Sequence, residues 1–261
     1  MPAPDGLLDA VSAIAAEAGR MALARGQEEY RRWEKVPGHP VCEVDLELDH
    51  LLRERLARLD PDAGWLSEET ADSAERLLGV RTWVVDPIDG TRDFLRGRPG
   101  WSVSIALVEG GRPLIGVLDA PARGEHWRAQ ADMGATRNGD PIRVSERTDF
   151  IGARVPADSL PKVDADLVTV AKPNSIALRI AMVAAGEADL LATLRWGHEW
   201  DIAAAALIAQ EAGATVTDAL GRPLRYNSTK GEAFGILAAT PGIHAAAIAR
   251  LADRAATAVV R

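Results

Sequence analysis

Cysteine is almost missing from this 261-residue chain, which has only Cys42. One thiol excludes an intrachain disulfide and leaves no thiolate cluster for zinc. Long apolar runs are missing too: none approaches the ~18 residues that cross a bilayer as a helix. The first stretch, MPAPDGLLDAVSAIAAEAGRM, lacks the basic opening of a secretory signal and spaces its apolar residues as a helix does. The expectation is a surface helix in a soluble, cytoplasmic protein. Basic residues are outnumbered, 30 Lys and Arg against 38 Asp and Glu, for a net charge of −8. That balance excludes the positive footprint of a nucleic-acid or anionic-membrane partner. What is present is ordinary: 47% hydrophobic and 26% charged residues, enough to bury the core of one large domain or two modest ones.

Periodicity predicts an amphipathic helix over 7–24, a Pro/Gly-rich loop at KVPGHP, and a second helix over 45–59 with Leu48, Leu52, Leu56 and Leu59 down one face. AGWLSEE and RTWVVD read as short strands. WSVSIALVEGGRPLIGVLDAP reads as a hairpin turning at Gly110-Gly111, and GEHWRAQ and GATRNGDPIRV continue the meander. Beyond residue ~145, α and β segments alternate: a strand over 151–155, a helix over 175–185, the strand ADLLATL, the helix DIAAAALIAQEAG, the strands ATVTD and FGILAAT, and a closing helix from Gly242. The expected architecture is layered α/β, an αβαβα sandwich. It divides into an N-terminal α+β part over 1–140 and a C-terminal α/β part over 141–261.

WVVDPIDGTRDF, residues 83–94, poses the chemical question. An apolar strand runs straight into Asp86 and Asp89, followed at once by Gly90 and Thr91. Glu68, Asp201 and Asp45 sit at the edges of other predicted elements, where sites collect in α/β proteins. Each acid alone has a plain reading as a helix cap or turn residue, worth ~1 kcal/mol. Massed carboxylates repel, and a hard divalent cation resolves the repulsion; Mg²⁺ takes oxygen ligands and leaves room for phosphate oxygens. Asp-x-x-Asp across a turn can direct both carboxylates and the Ile88 carbonyl into one cavity. Gly90 permits close backbone approach, amides that open a helix bind anions, and the Thr91 hydroxyl can orient a water.

PVCEVDLELD, LSEE, WVVDPIDGTRDF and EWDIAAAALIAQEAGA together resemble, in order and spacing, the signature segments of the inositol monophosphatase superfamily, with coverage from about residue 35 to 240. Members of that family are magnesium-dependent, lithium-sensitive phosphatases. The resemblance implies that Glu68, Asp86 and the Ile88 carbonyl hold one Mg²⁺, and that Asp86, Asp89 and Asp201 hold a second, with two or three ions in all. It implies that Thr91, hydrogen-bonded to Asp45, activates the attacking water with help from Glu68. Gly90 and Thr91 amides would hold the phosphate, with Asp89 and Asp201 also at the substrate. A homodimer acting on a small-molecule phosphate ester follows from the same resemblance.

Three features bear on the ester. Inositol-type members carry a glutamate seven residues before the Trp-Asp aspartate, where this chain has Leu194, which cannot accept polyol hydrogen bonds. The loop after the Asp-Gly-Thr box concentrates Arg92, Arg96 and Arg98. Arg179 stands where nucleotidase-type members carry lysine, and a cation there suits an anionic substrate. The chain is most similar to the 3'(2'),5'-bisphosphate nucleotidase type, acting on 3'-phosphoadenosine 5'-phosphate. An inositol or broad sugar-phosphate phosphatase is the alternative, and a non-catalytic regulatory binding protein a third reading. KPNSIA departs from the family's Gly-Ser-rich helix start, so base and ribose contacts do not carry over. Trp196 and Trp200 read as core or as a stacking surface.

Overall fold

A computed structural model describes residues 6–36 and 38–260. The chain begins with α1 (Leu7–Arg25), the hairpin β1 (Arg32–Val36) and β2 (His39–Cys42), then α2 (Glu43–Leu59). Next come β3 (Gly64–Ser67), β4 (Arg81–Asp89), the short α3 (Thr91–Leu95), β5 (Ser102–Glu109), β6 (Arg112–Ala120), β7 (Glu125–Gln130), β8 (Ala135–Arg137) and β9 (Asp140–Pro141). The rest comprises β10 (Arg154–Pro156), β11 (Val168–Val170), α4 (Ile176–Ala184), β12 (Leu190–His198), α5 (Ala203–Glu211), β13 (Thr215–Thr217), β14 (Glu232–Ala239) and α6 (Pro241–Val259).

β3 to β9 form a seven-stranded sheet in sequence order, antiparallel except for the parallel pair β3–β4. Its two faces bury different partners because neighbouring residues on a strand point opposite ways. Trp83, Val85, Ile105, Leu107, Ile115 and Val117 face α1 and α2, where they meet Val11, Leu48 and Leu52. Val84, Ala106, Leu118 and Trp127 face α4 and α5. The same two helices cover a second sheet of order β12-β14-β13 through Leu191, Val216, Ile236 and Ala238. The far face of that sheet packs Leu190, Leu237 and Ala239 on Ile243, Ala247 and Leu251 of α6. The order is thus αβαβα, as the alternation of patterns predicts.

Four expectations need correction. KVPGHP is the crown of the β1–β2 hairpin rather than a plain loop, with Pro37 outside the described residues. The strand expected over 151–155 is displaced to Arg154–Pro156, where it pairs in parallel with the unanticipated β11. Asp201 does not cap α5; Ile202 takes that position without a side-chain cap bond. Finally, β4 does not stop at Asp86 but runs on to Asp89. Asp86 lies opposite Ser104 and Asp89 opposite Ser102, so three steps along β4 match two along β5. Residues three apart on a regular strand point to opposite faces; the extra residue of this bulge brings Asp86 and Asp89 to the same side.

Candidate active site

The parallel pairing of β3 with β4 sets Ser67 beside Val85, so Glu68, the next residue, arrives beside Asp86 with its N–H 3.4 Å from the Val85 carbonyl oxygen. Asp201 approaches from the other sheet, on the turn between β12 and α5. Glu68, Asp86 and Asp201 each bring a carboxylate oxygen into a group whose members all lie within 4.8 Å of one another. Asp86 is 1% exposed. Burial lifts its carboxyl well above the usual carboxylate range, and the charges of Glu68, Asp89, Asp201 and Asp45 push it further. Asp201 is raised in the same way, by burial and then by Asp89 and Glu68. Lys35 reaches the edge of the group, its Nζ 3.5 Å from Glu68 Oε1 and 2.6 Å from Glu69 Oε1. An all-oxygen set of desolvated, mutually repelling carboxylates fits a hard divalent cation such as Mg²⁺.

Asp89 lies beside this group, but its oxygens are turned elsewhere. Oδ2 accepts the Ala177 N–H at 2.7 Å and the Ser175 hydroxyl, and Oδ1 accepts the Ile176 N–H at 3.3 Å. The carboxylate therefore caps the first turn of α4, where unpaired amides favour an anion. Burial still outweighs these bonds and raises the Asp89 carboxyl to about 6. Of the expected second set, the structure gathers Asp86 and Asp201 and directs Asp89 at α4.

The expected Thr91–Asp45 hydrogen bond is not formed. The Thr91 hydroxyl donates to the Ile88 carbonyl oxygen at 3.1 Å. Asp45 is the third residue of α2 and reaches back to the cap: its Oδ2 accepts the Cys42 N–H at 2.8 Å and the Cys42 thiol at 3.0 Å. This capping box satisfies two donors locally and takes Asp45 off Thr91. Burial raises the Asp45 carboxyl to about 6 and the Cys42 thiol to about 12. Gly90 bends the chain into α3 at φ 98°, and a Cβ there would sit 2.7 Å from Gly100 O and 2.9 Å from Ser175 N. Only glycine fits this turn.

Arg179 anchors the loop before α4, donating from Nε to Pro173 O at 2.8 Å and from a terminal nitrogen to Asn174 O at 2.7 Å. It feels the charges of Asp89 and of Arg195. The sequence reading missed Arg195, Lys35 and a brace made by Arg76. The Arg76 guanidinium binds Asp72, Asn227 Oδ1 and the Ser228 carbonyl, and the Asn227 and Ser228 amides in turn bind Glu199, two residues before Asp201. That brace ties the segment following Glu68 to the segment carrying Asp201. The Glu199-Asp201 spacing in HEWD is its one visible trace in the sequence. Arg92 donates to Gly38 O at 2.6 Å, which ties the Asp-Gly-Thr loop to the β1–β2 hairpin. Trp200 stacks on His198 at 4.2 Å and Trp196 tilts against Phe234.

A family model described as the inositol monophosphatase family matches residues 5–257. A fructose-1,6-bisphosphatase/inositol-1-monophosphatase of Thermotoga maritima is 35% identical over 195 residues, covering 70% of this chain and 72% of that protein. The 3'(2'),5'-bisphosphate nucleotidase CysQ of Escherichia coli K12 is 31% identical over 233 residues, 84% of this chain and 94% of its own. Among solved structures, the Thermotoga maritima IMPase superposes with a TM-score of 0.82 at 29% identity, over 96% of this chain and 98% of that one. With the αβαβα order and the clustered carboxylates, these matches make the chain a member of the inositol monophosphatase family, metal-dependent phosphatases of small phosphate esters.

Proposed function

We propose that this chain is a magnesium-dependent 3'(2'),5'-bisphosphate nucleotidase, hydrolysing 3'-phosphoadenosine 5'-phosphate to AMP and phosphate. The observation that carries the reading is a second bulge, in β12. Thr193 pairs with Ile236 and Trp196 with Phe234, so the extra residue falls at Leu194-Arg195. Leu194 packs into apolar clusters with Phe234 and Ile248 and offers a polyol no hydrogen-bond acceptor. Arg195 is left exposed, and its charge reaches both Asp201, where burial and the neighbouring acids outweigh it, and Arg179. Two guanidiniums beside the acidic group suit a substrate with a second phosphate.

In this reading Glu68, Asp86, the Ile88 carbonyl, Asp89 and Asp201 hold two or three magnesium ions. When bound, magnesium supplies Lewis-acid stabilisation of charge on the phosphoryl oxygens. Thr91 gives its proton to Ile88 O, so its oxygen can orient a water only by accepting from it. Asp45, raised to about 6, sits close to neutral pH, as suits a group that trades protons with that water, and Glu68 assists it. The amides of Gly90 and Thr91, before the first hydrogen-bonded turn of α3, bind the phosphate. Arg179 spends donors on Pro173 and Asn174 and keeps others of its five N–H groups for an anion. The alternative, an inositol or sugar phosphatase, draws support from the named activities of the Thermotoga maritima relative.

Phosphate release in Mg²⁺ from 3'-phosphoadenosine 5'-phosphate, inositol 1-phosphate, fructose 1,6-bisphosphate and histidinol phosphate separates the readings. The adenosine bisphosphate should lead by at least about tenfold in kcat/KM. Arg195→Ala should lower kcat/KM for the adenosine bisphosphate by about 1.5–3 kcal/mol, the worth of a charge-assisted hydrogen bond, and leave inositol 1-phosphate unchanged. An inositol phosphate in first place would overturn the nucleotidase reading. We further propose lobes meeting near residue 140, a cytoplasmic homodimer, and inhibition by lithium. Sedimentation and an assay in LiCl test the last two.

A further inference from the structure

Asp49, one helical turn beyond Asp45 on α2, is buried and has no place in the chemistry above. Its Oδ1 accepts the Ser67 hydroxyl and its Oδ2 accepts the Thr70 hydroxyl at 2.5 Å. Those residues bracket Glu68 and Glu69. Because each hydroxyl gives its proton to Asp49, each has lone pairs to offer elsewhere in the same loop. Ser67 Oγ accepts the Glu69 N–H at 3.4 Å, and Thr70 Oγ1 accepts the Trp65 indole N–H at 3.4 Å. One carboxylate thus fixes both ends of the turn that presents Glu68 to Asp86 and Asp201. We propose that Asp49 is a positioning residue for the metal centre: it sets the place of Glu68 through Ser67 and Thr70 without touching ion or substrate. The inference rests on the metal-dependent reading above.

The advantage of a fixed turn is entropic. A turn bearing two adjacent acids at the edge of a repelling group will spread unless held, and a ligand that must be ordered at the moment of binding costs affinity. Partners that orient a ligand commonly matter by 10–100-fold in metal affinity. The test is Mn²⁺ binding to the full chain without substrate, followed by loss of the free-ion electron paramagnetic resonance signal. Asp49→Ala should weaken Mn²⁺ binding by about tenfold or more. Asp49→Asn, which keeps one acceptor oxygen, should fall between, and saturating Mg²⁺ should restore kcat. If Asp49→Ala does not fold, the pair Ser67→Ala and Thr70→Val, which leaves α2 intact, should show the same weakening. Wild-type affinity in whichever variant folds would overturn the inference. Failure of the wild type itself to bind Mn²⁺ would overturn the metal reading and this inference together, whereas binding by wild type with unchanged variants would sink the role of Asp49 alone.

Discussion

At Asp45 the cost of burial exceeds the help of its hydrogen bonds to Cys42, and its carboxyl stands at about 6. Burial does the same to Asp89, at about 6, and to Glu69, at about 7, against unfolded values of 3.8 and 4.5. A folded state that holds its protons more tightly than the unfolded chain is favoured at low pH. The stability these groups contribute is complete below the unfolded pKa values and is lost as pH rises through about 6 to 7. Asp189, despite burial, is held far below the carboxylate range by Arg154 and Ser145, so it lies outside this window. In EDTA the melting temperature should therefore fall between about pH 4.5 and pH 7.5. Since a cation must displace the protons that burial favours on Asp86, Asp89 and Asp201, Mg²⁺ should raise the melting temperature more at pH 7.5 than at pH 5. A metal increment that is flat with pH would contradict the charge distribution described here. At this scale the sequence reveals which acids are present but not their partners. Asp49 lies on the same helix as Asp45, and helical period does not reveal its bonds to Ser67 and Thr70 across a packed interface.

Secondary elements were the most legible part of the chain. The Leu48-Leu52-Leu56 stripe, the apolar run of Trp83 to Val85 and the Gly110-Gly111 turn each declare their element through local period and turn chemistry. What stayed hidden depends on partners. The bulge that brings Asp86 and Asp89 to one side exists only in the register of β4 against β5, and the bulge at Leu194-Arg195 only against β14. Asp201 reads as a cap because it precedes a helix, yet its carboxylate joins Glu68 and Asp86. Packing between elements is equally exacting at Gly116 in β6, where a Cβ would stand 2.6 Å from the Ala204 carbonyl oxygen of α5. The neighbour is backbone and cannot swing aside. Gly116→Ala should cost about 1–3 kcal/mol as α5 is pushed off the sheet. The urea midpoint should drop with the slope unchanged, and a wild-type midpoint would mean that α5 has slack at this contact.

For the molecule as a whole, the αβαβα order explains why the acidic group gathers at this place. Glu68 directly follows β3 and Asp86 lies at the bulge of β4 in one sheet, while Asp201 follows β12 of the other. Helices α4 and α5 fill the space between the sheets, and the start of α4 receives Asp89. The Arg76 brace, with the guanidinium in a residue only 3% exposed, joins the two sides a few residues from Glu68 and from Asp201. The family was visible in the signature segments because they carry this assembly. Arg195 was hidden because the bulge that leaves it exposed exists only in the register of β12 against β14. The most direct measurement is phosphate release from 3'-phosphoadenosine 5'-phosphate as Mg²⁺ is titrated, for the wild type and for Asp86→Asn. The wild type should be silent in EDTA and rise to saturation with Mg²⁺, and Asp86→Asn should lose at least about 3 kcal/mol of transition-state stabilisation, roughly a hundredfold in kcat/KM. Turnover that ignores Mg²⁺, or an Asp86→Asn variant as active as the wild type, would contradict a metal centre built on these carboxylates.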